Sequence, residues 1–139
     1  MKNMSGQIPI VRHFIACEQL QISPEGRYSL FNLIHAIHPI EGATYPRIHP
    51  EIVLFALLTD GNGEHEFYVE VIYWSDGEQQ STWKTKIVKL DLGNNPLHVH
   101  GWPIRLKNVL FSQPGQYDFV LWCDGSEIAR ETILLRKTS

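Results

Sequence analysis

The chemical feature that stands out first is His98-Val99-His100. On a strand, positions i and i+2 project to one face, so both imidazoles can reach one metal ion. Two ligands do not close a metal site, and the plain alternative is a pair of polar side chains on an edge strand or loop. Other histidines cluster in sequence: His35 and His38 lie three apart, and His13 and His49 belong to adjoining segments. Together they would sense pH, because imidazole titrates near about 6.5. Separately they would be unrelated surface or loop positions. Cys17 is a conceivable nucleophile with Glu18 beside it. A reactive thiol needs an electropositive, accessible setting, and an adjacent carboxylate works against the thiolate.

Complete catalytic signatures do not occur in the sequence. Gly93 upstream of the His pair faintly resembles the first motif of cupins. That motif needs a Glu a few residues after the second His, where Gly101-Trp102-Pro103-Ile104-Arg105 stands, and no later His follows Pro114-Gly115. Gly-x-Ser-x-Gly, a P-loop, Gly-x-Gly-x-x-Gly and Cys-x-x-Cys are all missing. Asp60-Gly61-Asn62-Gly63-Glu64 looks like a fragment of a calcium loop without EF-hand spacing, and reads fully as a β-turn. Trp74, Trp83, Trp102 and Trp122 offer flat surfaces on which a glycan could stack. If Tyr117 faces inward, Trp122 faces outward, to be covered by a loop or a neighbouring chain.

These residues need a scaffold, and the pattern supplies a β one. Tyr117, Phe119, Leu121 and Cys123 alternate with Asp118, Val120, Trp122 and Asp124, the period of a strand with one buried face. Asp124-Gly125 is a strong hairpin signal, with a second run from Ile128 to Leu135. Further strands are expected over 9–22, 28–37, 52–59, 66–74, 82–92 and 97–111, the last interrupted at Gly101-Trp102-Pro103. A long Pro- and Gly-containing loop is expected over 38–50. About eight short strands with regular turn signals predict an all-β, antiparallel β-sandwich. The order of the later elements, and Tyr117 after a Pro-Gly corner, suggest an immunoglobulin-like one. Residues 1–8 read as a flexible N-terminus and 9–137 as a single domain.

Composition narrows the rest. A chain of 139 residues with 43% hydrophobic content buries enough surface to fold without disulfide or metal. The formal charge of −3, with scattered Lys and Arg, argues against a nucleic-acid partner. No apolar run approaches the roughly 18 residues of a membrane span, and the N-terminus has no apolar signal core. A cytoplasmic protein with Cys17 and Cys123 as free thiols is the expectation. Cys123 should be buried.

Two stretches break the alternation. Leu30, Ile34 and Ala36 oppose Phe31, Leu33 and Ile37, and Ile52, Leu54, Ala56 and Leu58 oppose Val53, Phe55 and Leu57. Strands apolar on both faces need two covers. A homodimer is therefore expected, with Phe31, Leu33, Ile37, Val53, Phe55 and Leu57 at the interface. The rival is an N-terminal segment folded over the sheet as a further layer.

Several segments in order resemble an uncharacterised bacterial family, a domain of unknown function. They are Arg12-His13-Phe14 leading to Cys17-Glu18; Tyr28-Ser29-Leu30; Tyr45-Pro46 ahead of Pro50-Glu51; Leu58-Thr59-Asp60-Gly61; Pro103-Ile104-Arg105; and Pro114-Gly115-Gln116-Tyr117. The resemblance implies a small β-sandwich protein and no activity. The functional expectation is a non-enzymatic interaction or assembly module of a bacterial cell, without a cofactor and with a protein partner. The alternatives are a small-ligand or glycan-binding sandwich and a metal-dependent enzyme using His98 and His100.

Overall fold

A computed structural model describes residues 6–38 and 44–137. Ten strands follow in order: β1 (Ile10–Ile22), β2 (Tyr28–Leu33), β3 (Ala36–Ile37), β4 (Arg47–Thr59), β5 (Glu64–Ser75), β6 (Glu78–Lys84), β7 (Val88–Asp91), β8 (His100–Phe111), β9 (Gly115–Cys123) and β10 (Ser126–Leu135). They form a four-stranded sheet, β2-β1-β4-β8, and a larger one, β3-β10-β9-β5-β6, with β7 also paired to β5. All pairings are antiparallel except β3 with β10. Among the described residues no helix occurs, and so none long and apolar enough to cross a membrane.

One core lies between the sheets. Strand alternation sends Ile52, Leu54, Ala56 and Leu58 of β4 inward, to meet Phe67, Val69 and Val71 of β5 and Tyr117, Phe119, Leu121 and Cys123 of β9. On β8 the inward set begins as Ile104 and Leu106 and continues as Val109 and Phe111. The change of parity falls at Asn108, whose φ of 54° lies in the left-handed region that Asn tolerates. Tyr117 closes the β8–β9 corner: its hydroxyl donates to Gln113 O at 2.7 Å.

Two expected strands are each divided. The 28–37 run turns at Asn32, φ 58°, after which Ala36–Ile37 joins the other sheet beside Leu134 and Leu135. The 82–92 run divides into β6 and β7 where Thr85 stands in for the ladder, accepting from Val69 N at 2.9 Å and donating its own N–H to Val69 O. β4 begins at Arg47, so it takes in part of the expected 38–50 loop; residues 39–43 of that loop lie outside the described ones, as do residues 1–5. Gln7 is tied down, its N–H donating to Asn62 Oδ1 at 2.5 Å and its carbonyl accepting from Asn62 N at 3.1 Å.

The two-faced pattern of β4 is answered within the chain. The β1–β2 hairpin folds over the outer face of the four-stranded sheet, and Leu20, Tyr28 and Leu30 pack on Cys17, Val53, Phe55 and Leu57. Tyr28 lies 4.7 Å from Phe55, ring centre to ring centre, and donates to Gly101 O on β8 at 3.1 Å. Within the single chain the residues of the expected interface are distributed unevenly. Val53 and Phe55 are buried under the hairpin, Leu57 is half-buried there, and Ile37 belongs to the main core. Only Phe31, at 41% exposure, and Leu33, at 59%, face solvent.

Candidate functional site

A cavity of about 350 Å³ opens where β3 and the start of β4 approach each other. Arg47 pairs with Phe111 and His49 with Val109. Cross-strand partners share a face, so both polar side chains point the way of those two core residues. The left-handed turn of the backbone at Asn108 is what aims them inward. Glu18, Asn32 and His38 complete the polar wall, and Ala36 and Ile37 supply an apolar one. Burial lowers the pKa of His49, Glu18 pulls it upward and Arg47 depresses it further, with a net shift toward the neutral imidazole. Arg47 Nη1 is buried and has no hydrogen-bond partner.

A second polar cluster forms at the far end of β5. His65 Nδ1 donates to Asp124 Oδ2 at 2.6 Å and Nε2 donates to Asn62 O at 2.8 Å. Asp124 also accepts the Glu66 N–H at 2.9 Å. Burial opposes the charged ring, but the Asp124 bond and charge and the Asn62 carbonyl outweigh it, so the pKa of His65 is raised. Cys123 lies close by: His65, Cys123 and Asp124 present ligand atoms within 4.8 Å of one another, among the described residues the only such trio. The trio has the residue types of a thiol protease or a metal centre. Both ring nitrogens of His65 are engaged by acceptors of the chain, and burial pushes the Cys123 thiol up to about 12.

A third cluster lies on the outer face of the larger sheet. Asp118 is 2% exposed. Its carboxylate accepts from Trp74 Nε1 at 2.7 Å, Thr132 Oγ1 at 2.7 Å, Arg130 Nη1 at 2.8 Å and Gln116 Nε2 at 3.2 Å. Burial would raise its pKa, but these donors overcome that and hold it below the ordinary carboxylate value. Arg130 also clasps Glu127 with two bonds of 2.9 Å.

The residues singled out in the sequence are distributed otherwise. His98 and His100 stack at 4.7 Å, with His100 Nε2 donating to Leu92 O at 3.0 Å. Of the histidine group, His38 and His49 share the cavity, while His13 and His35 are exposed. Cys17 is fully buried, its thiol donating to Gln19 O, and burial raises its pKa. Asp60 accepts from Thr59 and pairs with Arg12 at 2.6 Å, as a turn residue does. Trp122 faces outward as expected, but its own chain covers it: Tyr68 stacks on it at 6.1 Å and Glu70 accepts its Nε1–H at 3.0 Å. Trp102 meets Phe67 edge-on and only Trp83 counts as exposed. Sequence reading passed over Arg47, His65 and Asp118. Asp118 carried a signal, as an acid amid apolar neighbours on a strand.

An all-β chain of two mostly antiparallel sheets around a shared core, with one end cavity and two saturated polar clusters, is the class to which this molecule belongs. The chain belongs to DUF6941, a family of unknown function, whose model matches residues 12–136. No curated protein matches it. Among solved structures it is similar to the Pseudomonas fluorescens alkylpurine DNA glycosylase AlkC bound to DNA containing an abasic site analog, with a TM-score of 0.53 and 14% identity over 93% of this chain. This chain spans only 30% of that one, and the likeness is one of fold.

Proposed function

We propose that this protein is a non-enzymatic interaction module on an immunoglobulin-like β-sandwich, acting in the bacterial cytoplasm. The observation that carries the reading is the state of His65. It is the one imidazole set against both a thiol and a carboxylate, and both of its nitrogens are already donated. The group best placed for catalysis instead joins two turns.

The immunoglobulin-like assignment draws on three features. β4 and β8 lie in one sheet and β5, β9 and β10 in the other, β3 runs parallel to the last strand at the sheet edge, and Tyr117 makes the bond of a tyrosine corner. Two buried free thiols fit a reducing compartment. A formal charge of −3 weighs against nucleic acid as the partner. The exposed pair Phe31 and Leu33 is what remains to support a homodimer.

The test is crosslinking in cells at native expression, followed by mass analysis. A stoichiometric protein partner or second copy is the expected result. Turnover of an ester, thioester or amide probe by purified protein, lost in a folded Cys123→Ser or His65→Gln variant, overturns the reading.

A further inference from the structure

The His65 and Asp118 clusters are complete, each buried donor meeting an acceptor. Arg47 is the exception. Its Nη1 is closed off from solvent and donates to nothing. Buried N–H groups seldom go unpaired, and leaving one so is costly. Glu18 lines the same cavity, yet among the described residues it makes no ion pair with Arg47. The cavity therefore presents a half-buried guanidinium, one nitrogen of which has no partner among the described residues.

We propose that this cavity binds a small organic monocarboxylate against Arg47. The inference does not depend on the interaction-module reading. The planar guanidinium fork matches the two oxygens of a carboxylate. His49, held toward its neutral form, adds an N–H without a second positive charge. Asn32 and His38 add donor capacity on the same wall. Glu18 sets the charge limit: a ligand with one negative charge is tolerated beside it, while a phosphate dianion brings two and is repelled. At about 350 Å³ the space is near the small end of ligand sites and suits a metabolite-sized acid better than a nucleotide.

The probes are acetate, lactate and inorganic phosphate, read by thermal midpoint and by ¹H–¹⁵N chemical shifts in wild type, Arg47→Met, Arg47→Lys and Glu18→Gln. Saturable shifts at Asn32, Arg47 and His49 are expected with a carboxylate. Affinity should fall roughly tenfold or more in Arg47→Met, the loss of a charge-assisted bond. Arg47→Lys keeps the charge without the fork and should bind more weakly while staying folded. Without any carboxylate, Arg47→Met should melt higher than wild type, because an unpaired buried donor has gone. Glu18→Gln should bring phosphate closer to carboxylate in affinity.

Three results overturn the proposal. One is no saturation with either carboxylate. Another is phosphate bound as tightly as carboxylate by wild type. The third is a lower midpoint for carboxylate-free Arg47→Met, which would assign the guanidinium to a counter-charge of the chain itself. None of these bears on the crosslinking or turnover result, so the two readings fail separately.

Discussion

His65 Nδ1 lies 2.6 Å from Asp124 Oδ2, joining residues 59 positions apart. The bond ties the turn before β5 to the turn after β9, because the ring's other nitrogen holds Asn62 O. The neighbouring ladder pair Phe67 and Cys123 sets the register that makes the meeting possible. Asp124 itself sits at φ 50°, the conformation of its Asp-Gly turn, and its carboxylate meets His65 and Glu66 N of β5.

This pair gives stability a definite pH dependence. The folded pKa of His65 is raised above its ordinary value. Its contribution is therefore fully present below about 6.5 and is lost as pH rises through the folded value. Urea midpoints measured across the neutral range should fall with rising pH in wild type. His65→Gln should flatten that slope and cost about 1–3 kcal/mol at the acid end of the range. An unchanged slope would show that the ring is not charged in the fold.

Asp118 behaves in the opposite sense. Its folded pKa is lowered, so the stability it supplies is present above about 3.9 and is lost as pH falls through the folded value. Asp118→Asn keeps the shape but turns an amide toward donors. Trp74, Thr132 and Arg130 would then lack an acceptor on that side. A loss of about 3 kcal/mol at neutral pH is expected, with a shallower acid transition, by chemical denaturation.

Cys123 should label slowly in the native state. Its thiol is fully buried on the inward face of β9 and is pushed up to about 12 by burial first and Asp124 second. Mass analysis after brief alkylation should find Cys17 and Cys123 both unmodified in native protein and both modified in urea. Rapid native labelling of Cys123 would contradict the packing of β9.

Gly101 lies where Tyr28 crosses β8. A Cβ there would run into the Tyr28 ring, which is pinned by Phe55 and by its own bond to Gly101 O. Gly101→Ala should cost about 1–3 kcal/mol by displacing the hairpin. Tyr28→Ala removes the obstruction, so the double variant should lose clearly less than the two single losses added together. Simple additivity by urea denaturation would deny the contact.

Much of this fold was legible because strands write their faces with period two. Phe67, Val69, Val71 and Tyr73 announce an inward face, as do Tyr117, Phe119, Leu121 and Cys123. Turn dipeptides such as Asp124-Gly125 placed the hairpins. The cavity was hidden by the same rules. Pro46 and Pro50 made 38–50 read as loop, yet Pro50 lies opposite Asn108, at the position the β4–β8 ladder skips, and β4 runs through it. Arg47 therefore looked like a loop residue when it is on a strand facing inward. His65 with Asp124, and Arg130 with Asp118, depend on register between strands, which one sequence does not specify.

The two-faced pattern of β4 had two explanations, and the hairpin now decides where each substitution should act. Phe55 is 6% exposed beneath Tyr28, while Phe31 is 41% exposed on the outside of the hairpin. Phe55→Glu would bury a carboxylate among Cys17, Leu20 and Val53 with no partner, and the protein should fail to fold or lose about 4 kcal/mol or more. Phe31→Glu removes no packed core contact and should stay within about 1 kcal/mol of wild type. Light scattering at micromolar concentration then tests the homodimer. If Phe31 and Leu33 form the contact between copies, wild type has the mass of two chains and Phe31→Glu the mass of one. A wild-type mass of one chain removes the homodimer and leaves the hairpin as the complete answer to the apolar outer face of β4.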